Sequence, residues 1–206
     1  MTGTPPLASR LALLSAGAGL LVGGAAFVQG VVTEVPLAWG FGLACLLQVA
    51  PSLAVGYRLR EGLGNRGLDG ERRTLRITSH LLRFLALGLA IACILAWTAG
   101  SAPRPGVGDL TVAGGALVSW GGLWLGKRRF RTLHPSLSQD TARARTLAGF
   151  AGLLLVGGLL GLAFPWAGPA AGLAMAAWLF QEGRTLAKAT TVSLVGCGGC
   201  GSCGCG

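Results

Sequence analysis

The sequence predicts an all-α integral membrane protein with six transmembrane helices and with both termini in the cytoplasm. Hydrophobic residues make up 52% of the chain and charged residues only 12%, whereas an average soluble domain has about 25% charged residues. Several uncharged apolar runs reach the length of about 18 residues that crosses a bilayer core of about 30 Å. Lysine and arginine are concentrated in two of the segments between these runs.

The longest apolar stretch is Leu147 to Phe180, which we interpret as a transmembrane hairpin containing spans five and six. Its first run, LAGFAGLLLVGGLLGLAF, has no residue more polar than glycine, and a second run resumes after the short break PWAG. A helix packed on a soluble core has one polar face, and neither run has one.

The N-terminal half repeats this pattern. Residues 1–10 form a short polar segment, and Leu11 to Val32 is the first predicted span. A secretory signal peptide is the competing interpretation of the first span, but its apolar run is longer than the usual 7–15 residues and only Arg10 precedes it. The second span is interrupted by Pro51, and proline inside a membrane helix usually kinks it and frees a carbonyl. The predicted spans two to four are Val35 to Tyr57, Ser79 to Ala99 and Leu110 to Gly126.

The distribution of positive charge predicts the orientation. Six arginines lie between Arg58 and Arg76, and six basic residues lie between Lys127 and Arg145. Cytoplasmic loops are rich in lysine and arginine, so both segments and the tail after Phe180 (residues 181–206) are placed inside. We therefore expect a multi-pass protein of the cell (inner) membrane. Nucleic-acid binding is disfavoured, because the basic loops have neither a recognisable fold nor interleaved aromatic residues.

Six cysteines form two sets. Cys45 and Cys93 lie in predicted spans, where a cysteine usually acts as a small hydrophobic residue. The other four form C-x2-C-x2-C-x-C at the C-terminus, namely Cys197, Cys200, Cys203 and Cys205. Thiolates suit soft ions such as Zn(II) and Cu(I), and the predicted cytoplasmic location disfavours disulfides. We therefore expect a thiophilic metal site in the tail. The alternatives are palmitoylation or a disordered tail without a role.

Catalysis is not expected. The two histidines, His80 and His134, lie near predicted membrane edges and have no carboxylate nearby in sequence, so a structural or solvated role is favoured.

Three stretches resemble the membrane domain of the cation diffusion facilitator family, in particular its small members that lack the cytosolic domain. Leu37 to Tyr57 resembles the second helix of that family, and Ser136 to Gly157 resembles the fifth. Phe164 to Leu186 resembles the turn and sixth helix, including a W-A-x-P corner and an E-G-R ending. Some small members also end in a cysteine pair. The resemblance implies a six-helix bundle, a homodimer in the lipid bilayer, and transport of a divalent cation.

This chain departs from that family where the metal would bind. The resemblance implies two pairs of ligands, each pair four residues apart on one helix face. The second-helix pair aligns with Ala44 and Gln48, and the fifth-helix pair aligns with Arg143 and Leu147. Asp140 matches a family acidic residue one turn earlier that is not usually a direct ligand. Alanine and leucine cannot bind a cation, and an arginine repels one.

Two functions from different classes remain open. One is a divergent metal transporter that uses Cys45, Gln48 and Asp140 as weak ligands and gathers metal with its tail. The other is a non-transporting membrane scaffold or accessory subunit that kept the fold and lost the ion site. In the second case, Gln48 and Arg143 are able to hydrogen-bond each other across helices.

Overall fold

The computed structural model describes residues 6–60, 68–100, 103, 105–129 and 135–195, and every regular element within them is an α-helix. This confirms the predicted all-α class. The helices are α1 (Pro6–Val32), α2 (Pro36–Leu47), α3 (Val49–Arg60), α4 (Leu68–Thr98), α5 (Val107–Lys127), α6 (Pro135–Ala163) and α7 (Ala167–Val195).

Four segments are long and apolar enough to cross a membrane, whereas the sequence predicts six spans. They are Ser9–Val32, Pro36–Tyr57, Arg72–Thr98 and Ser138–Ala163. Helices α5 and α7 do not reach the same hydropathy. Glycine and tryptophan dilute the apolar residues of α5, and in α7 the apolar run ends at Gln181.

Three helices extend past the predicted spans. Helix α4 begins at Leu68 rather than near Ser79, α6 begins at Pro135 rather than near Leu147, and α7 continues to Val195. The extensions contain helix-forming residues such as arginine, leucine and alanine. Much of each segment that the sequence suggested as a basic loop or tail is therefore helical.

Helices α2 and α3 form one span that is interrupted at Gln48, as the proline predicts. Pro51 has no amide hydrogen, so the carbonyl of Leu47 loses its helical partner. The Gln48 amide instead bonds to the carbonyl of Cys45 at 3.1 Å, and α3 resumes with the Ser52 amide bonded to the carbonyl of Gln48 at 3.2 Å.

The turn from α1 to α2 is a Schellman motif. The Val35 amide bonds to the carbonyl of Gly30 at 3.0 Å, and the Glu34 amide bonds to the carbonyl of Val31 at 3.4 Å. This motif places one residue in the left-handed region, usually glycine. Here Glu34 adopts it, with φ 57°, at some cost in backbone strain.

Three pairs of helices pack antiparallel, namely α1 with α2, α4 with α7 and α5 with α6, and small residues allow close approach. In the α1–α2 pair, a Cβ added at Gly30 would lie 2.8 Å from the Ala38 carbonyl carbon, and one at Gly42 would lie 2.7 Å from the carbonyl oxygen of Gly23. Helix α7 runs antiparallel to α4, because Gly172 lies against Cys93 and Gly183 lies against Ser79. Phe41, Leu89, Trp120, Phe150 and Met175 fill the core between these helices.

This packing brings both predicted basic connections to one end of the bundle, which we call the basic end. Gly56 of α3 and Gly126 of α5 both lie against the start of α1. A salt bridge joins the end of α5 to the start of α6, and the α4–α7 contacts place the end of α7 beside the start of α4. The turns after α1 and α6 lie at the opposite end.

Candidate functional site

A buried salt bridge joins α5 to α6 at the basic end. Lys127 Nζ donates a hydrogen bond to Asp140 Oδ2, and the two side chains are only 5% and 3% exposed. The hydroxyl of Thr141 donates to the carbonyl of Lys127 at 3.5 Å. Asp140, a candidate transport ligand, is therefore engaged by a cation that belongs to the protein itself.

The helix ends favour this arrangement. Lys127 is the last residue of α5, where a cation complements the negative end of the helix dipole. Burial lowers the pKa of Lys127, and the nearby Asp140 carboxylate opposes that shift. A buried carboxylate and a buried ammonium each lose hydration. Removing either partner would leave the other as an uncompensated buried charge, which strongly destabilises the folded protein.

Arg143 lies close to this pair, and Glu182 lies close to Arg143. Arg143 is 3% exposed, and its charge acts on both Lys127 and Glu182. Burial raises the pKa of Glu182, while Arg143 and Arg145 act in the opposite direction. We call Gln48, Lys127, Asp140, Arg143 and Glu182 the polar layer. A site that binds a cation usually carries net negative charge. The polar layer does not, because Lys127 and Arg143 balance the negative charges of Asp140 and Glu182.

Gln48 is at the same depth in the bundle. Leu37 packs against Gly157, and α2 and α6 run antiparallel. Counting eleven residues along each helix from this contact puts Gln48 at about the level of Thr146, which is one turn from Arg143. Gln48 is 5% exposed, and its Oε1 has no hydrogen-bond partner within the part of the chain that the structure describes. The hydrogen bond suggested from Arg143 to this oxygen is therefore not present.

The cysteines within the bundle are buried and separated. Cys45 is fully buried beside Gly23 of α1, and Cys93 packs against α7 at Gly172. Neither belongs to a group of three or more potential ligands, and over residues 6–60, 68–100, 105–129 and 135–195 no such group of histidine, cysteine and acidic residues occurs. The tail residues Cys197, Cys200, Cys203 and Cys205 lie outside the described residues.

A second polar contact closes the opposite end. Asp109 is 4% exposed. Its Oδ2 accepts a hydrogen bond from the Gly106 amide at 2.8 Å, which caps α5, and its Oδ1 accepts one from the Thr33 hydroxyl at 3.1 Å. One carboxylate thus starts α5 and ties it to α1.

Sequence reasoning placed Lys127 and Asp109 in connections and missed both contacts. The sequence did contain a signal for the salt bridge. A lysine ends one span, and after a short connection an aspartate lies near the start of the next. No protein-family model and no curated protein matches this sequence.

Proposed function

We propose that the chain is a six-pass protein of the cell (inner) membrane that binds a thiophilic metal through its cytoplasmic tail and does not pass divalent cations through its bundle. In this role it is a membrane scaffold or accessory subunit for metal handling. The observation that carries the proposal is the Lys127–Asp140 salt bridge, which engages the carboxylate that a divergent transporter would use as a weak ligand.

The six-pass topology is supported by the antiparallel packing. Helices α5 and α7 lie beside the four segments of sufficient hydropathy and run between the same two ends of the bundle. Exposed arginines at the basic end include Arg73, Arg76, Arg128 and Arg184, whereas Glu34 and Asp109 lie at the other end. This asymmetry favours a cytoplasmic basic end.

Electrostatics argue against a cation path through the polar layer. A divalent cation beside Asp140 would have to displace Lys127 and would meet the buried charge of Arg143. Two like charges about 4 Å apart repel by about 4 kcal/mol at the effective dielectric of a partly buried site. The side-chain oxygen of Gln48 is a single neutral ligand, which is too weak to offset this repulsion.

The tail offers the chemistry that the bundle lacks. Helix α7 continues to Val195, which is about 20 Å beyond Glu182 at 1.5 Å per residue. The four tail cysteines therefore follow a helix that extends away from the polar layer. Four thiolates within nine residues of glycine and serine can surround one Zn(II) or Cu(I) ion. A homodimer, as the resemblance implies, would double the number of such sites.

Metal analysis of the purified full-length chain tests the metal-handling role. We expect bound zinc or copper to fall to background when all four tail cysteines are replaced by serine. Cys93→Ala is the matched control, because that thiol is buried in the bundle, and it should keep the metal. Metal that stays with the tail variant would refute the role.

A second candidate is a divergent cation transporter, favoured by the interrupted helix at Gln48. Interrupted membrane helices often form transport sites, and the Gln48 Oε1 lacks a partner among the described residues. Zinc uptake into proteoliposomes distinguishes the candidates. The scaffold predicts no uptake above empty vesicles, whereas uptake that Gln48→Ala or Asp140→Ala abolishes would establish transport.

A further inference from the structure

We infer that the surface of α4 beside its contact with α7, at the basic end, binds the headgroup phosphate of an anionic phospholipid, with Arg83 as its central ligand. This inference requires the membrane crossing of α4 that the proposed topology includes, and it is independent of metal binding.

Arg83 lies just inside the apolar part of α4. About 20 residues cross the hydrocarbon layer, and counting back from Thr98, where α4 ends, places the boundary near Ser79. Arg83 is thus one turn inside that boundary. Helical side chains point toward the N-terminus of their helix, which for α4 is the basic end, so the guanidinium can reach the headgroup level.

The hydrogen-bonding capacity of Arg83 is largely unused. A guanidinium has five N–H donors. Among the residues that the structure describes, Arg83 forms one polar contact, from its Nη2 to the carbonyl oxygen of Gly183 at 3.5 Å, which is at the outer limit for a hydrogen bond. Arg83 Nε is buried and has no hydrogen-bond partner in the described part of the chain. A phosphate oxygen is an acceptor that fits the terminal N–H donors of the guanidinium.

The contact between α4 and α7 holds the Arg83 side chain in place. A Cβ added at Gly183 would lie 2.9 Å from Arg83 Cγ and 2.9 Å from the carbonyl oxygen of Ser79. The aliphatic part of Arg83 is therefore pressed against the backbone of α7. This contact reduces the rotamer entropy that binding would otherwise cost.

The same face of α4 has a basic part that suits a lipid headgroup and an apolar part that suits an acyl chain. Arg76, His80 and Arg83 are four and three residues apart, so they share one face of the helix. We call them the α4 basic stripe. The face continues into Leu87 and Ile91, which are 54% and 59% exposed. The guanidinium groups of Arg76 and Arg83 therefore stand above an apolar surface along which an acyl chain can lie, and this order favours an anionic phospholipid.

Lipid titration of the purified full-length protein, followed by native mass spectrometry, tests the inference. The probes are phosphatidylglycerol and phosphatidylcholine with identical acyl chains. Wild type should bind phosphatidylglycerol more tightly, and Arg83→Gln should weaken that binding about fivefold, the effect of removing one basic residue near an anionic headgroup. Arg83→Lys should retain part of the affinity. Arg10→Gln is the control, since Arg10 is exposed on α1, and it should leave binding unchanged.

Equal losses from Arg83→Gln and Arg10→Gln would overturn the inference, because they would indicate general attraction to the basic end. Unchanged binding in Arg83→Gln would also overturn it, and so would displacement of the lipid by millimolar inorganic phosphate. If Arg83→Gln does not fold, Arg76→Gln replaces it. Arg76 is exposed, so its loss should weaken phosphatidylglycerol binding without unfolding the protein. Unchanged binding in Arg76→Gln would again refute the proposed lipid site.

Discussion

Replacing Lys127 by methionine should strongly destabilise the protein, because it leaves the Asp140 carboxylate buried without its cation. Both side chains are at most 5% exposed. Removing one partner of a buried ion pair typically costs about 3–5 kcal/mol, and we expect a loss in that range. The reverse change, Asp140→Leu, should cost a similar amount because it leaves the ammonium of Lys127 buried.

The double variant separates the cost of an unpaired charge from the cost of lost packing. Methionine and leucine approximate the shapes of lysine and aspartate, so Lys127→Met combined with Asp140→Leu removes both charges with little change in volume. Replacing a buried pair by apolar residues of similar volume is often neutral. We therefore expect the double variant to be more stable than either single variant.

The free energy of unfolding, measured by titrating sodium dodecyl sulfate into mixed micelles, completes this cycle. Arg128→Met is the matched control, since it removes a neighbouring but exposed cation, and it should change stability little. If Lys127→Met costs no more than Arg128→Met, or if the double variant loses the sum of the two single losses, the salt bridge is not the buried pair described above.

Further predictions concern the turns and the glycine contacts, with unfolding free energy as the measurement for each. Gly30→Ala should cost about 3 kcal/mol through a backbone clash, whereas Gly24→Ala, which has open space around it, should cost nothing, and equal effects would contradict the packing. Glu34→Gly should stabilise by about 1 kcal/mol by relieving its left-handed strain, and a loss would contradict the turn. Asp109→Ala should cost about 1–2 kcal/mol by uncapping α5, and no change would argue against the cap. Because burial raises the pKa of Glu182, the folded state keeps that proton to higher pH than the unfolded chain, so stability should fall as pH rises above about 4.5. Glu182→Gln should remove this part of the pH dependence, and an unchanged profile would show that other groups cause it.

Sequence patterns predicted the features that depend on local chemistry. Apolar runs indicated the helices, and Pro51 indicated the interruption of the second span because proline cannot donate the required hydrogen bond. The grouping of arginines indicated which helix ends meet at the basic end. The lengths of α4, α6 and α7 were underestimated, since clustered basic residues next to an apolar run suggested a loop or tail although arginine and lysine are compatible with a helix.

The polar layer could be predicted only in part. The resemblance aligned Gln48 and Arg143 with ligand positions on the second and fifth helices, and both side chains are buried. The partner of Asp140 was missed, because pairing across a connection depends on how two helix ends turn toward each other. For Gln48 and Arg143 the reverse holds, because the hydrogen bond suggested between them is not formed. Which atoms meet depends on side-chain conformations that residue types alone do not determine.

The two environments of glycine in this bundle bear on how the sequence can diverge over evolutionary time. Gly30 and Gly42 touch the backbone of a facing helix, so any side chain there pushes two helices apart. A Cβ added at Gly88, Gly115 or Gly122 would meet no atom of another helix within 4 Å in the described part of the chain, and mutation there meets no such barrier. Descendants of a common ancestor should therefore keep the first two glycines while the other three drift to alanine, serine or leucine. A high glycine content in such a protein is then only partly under selection.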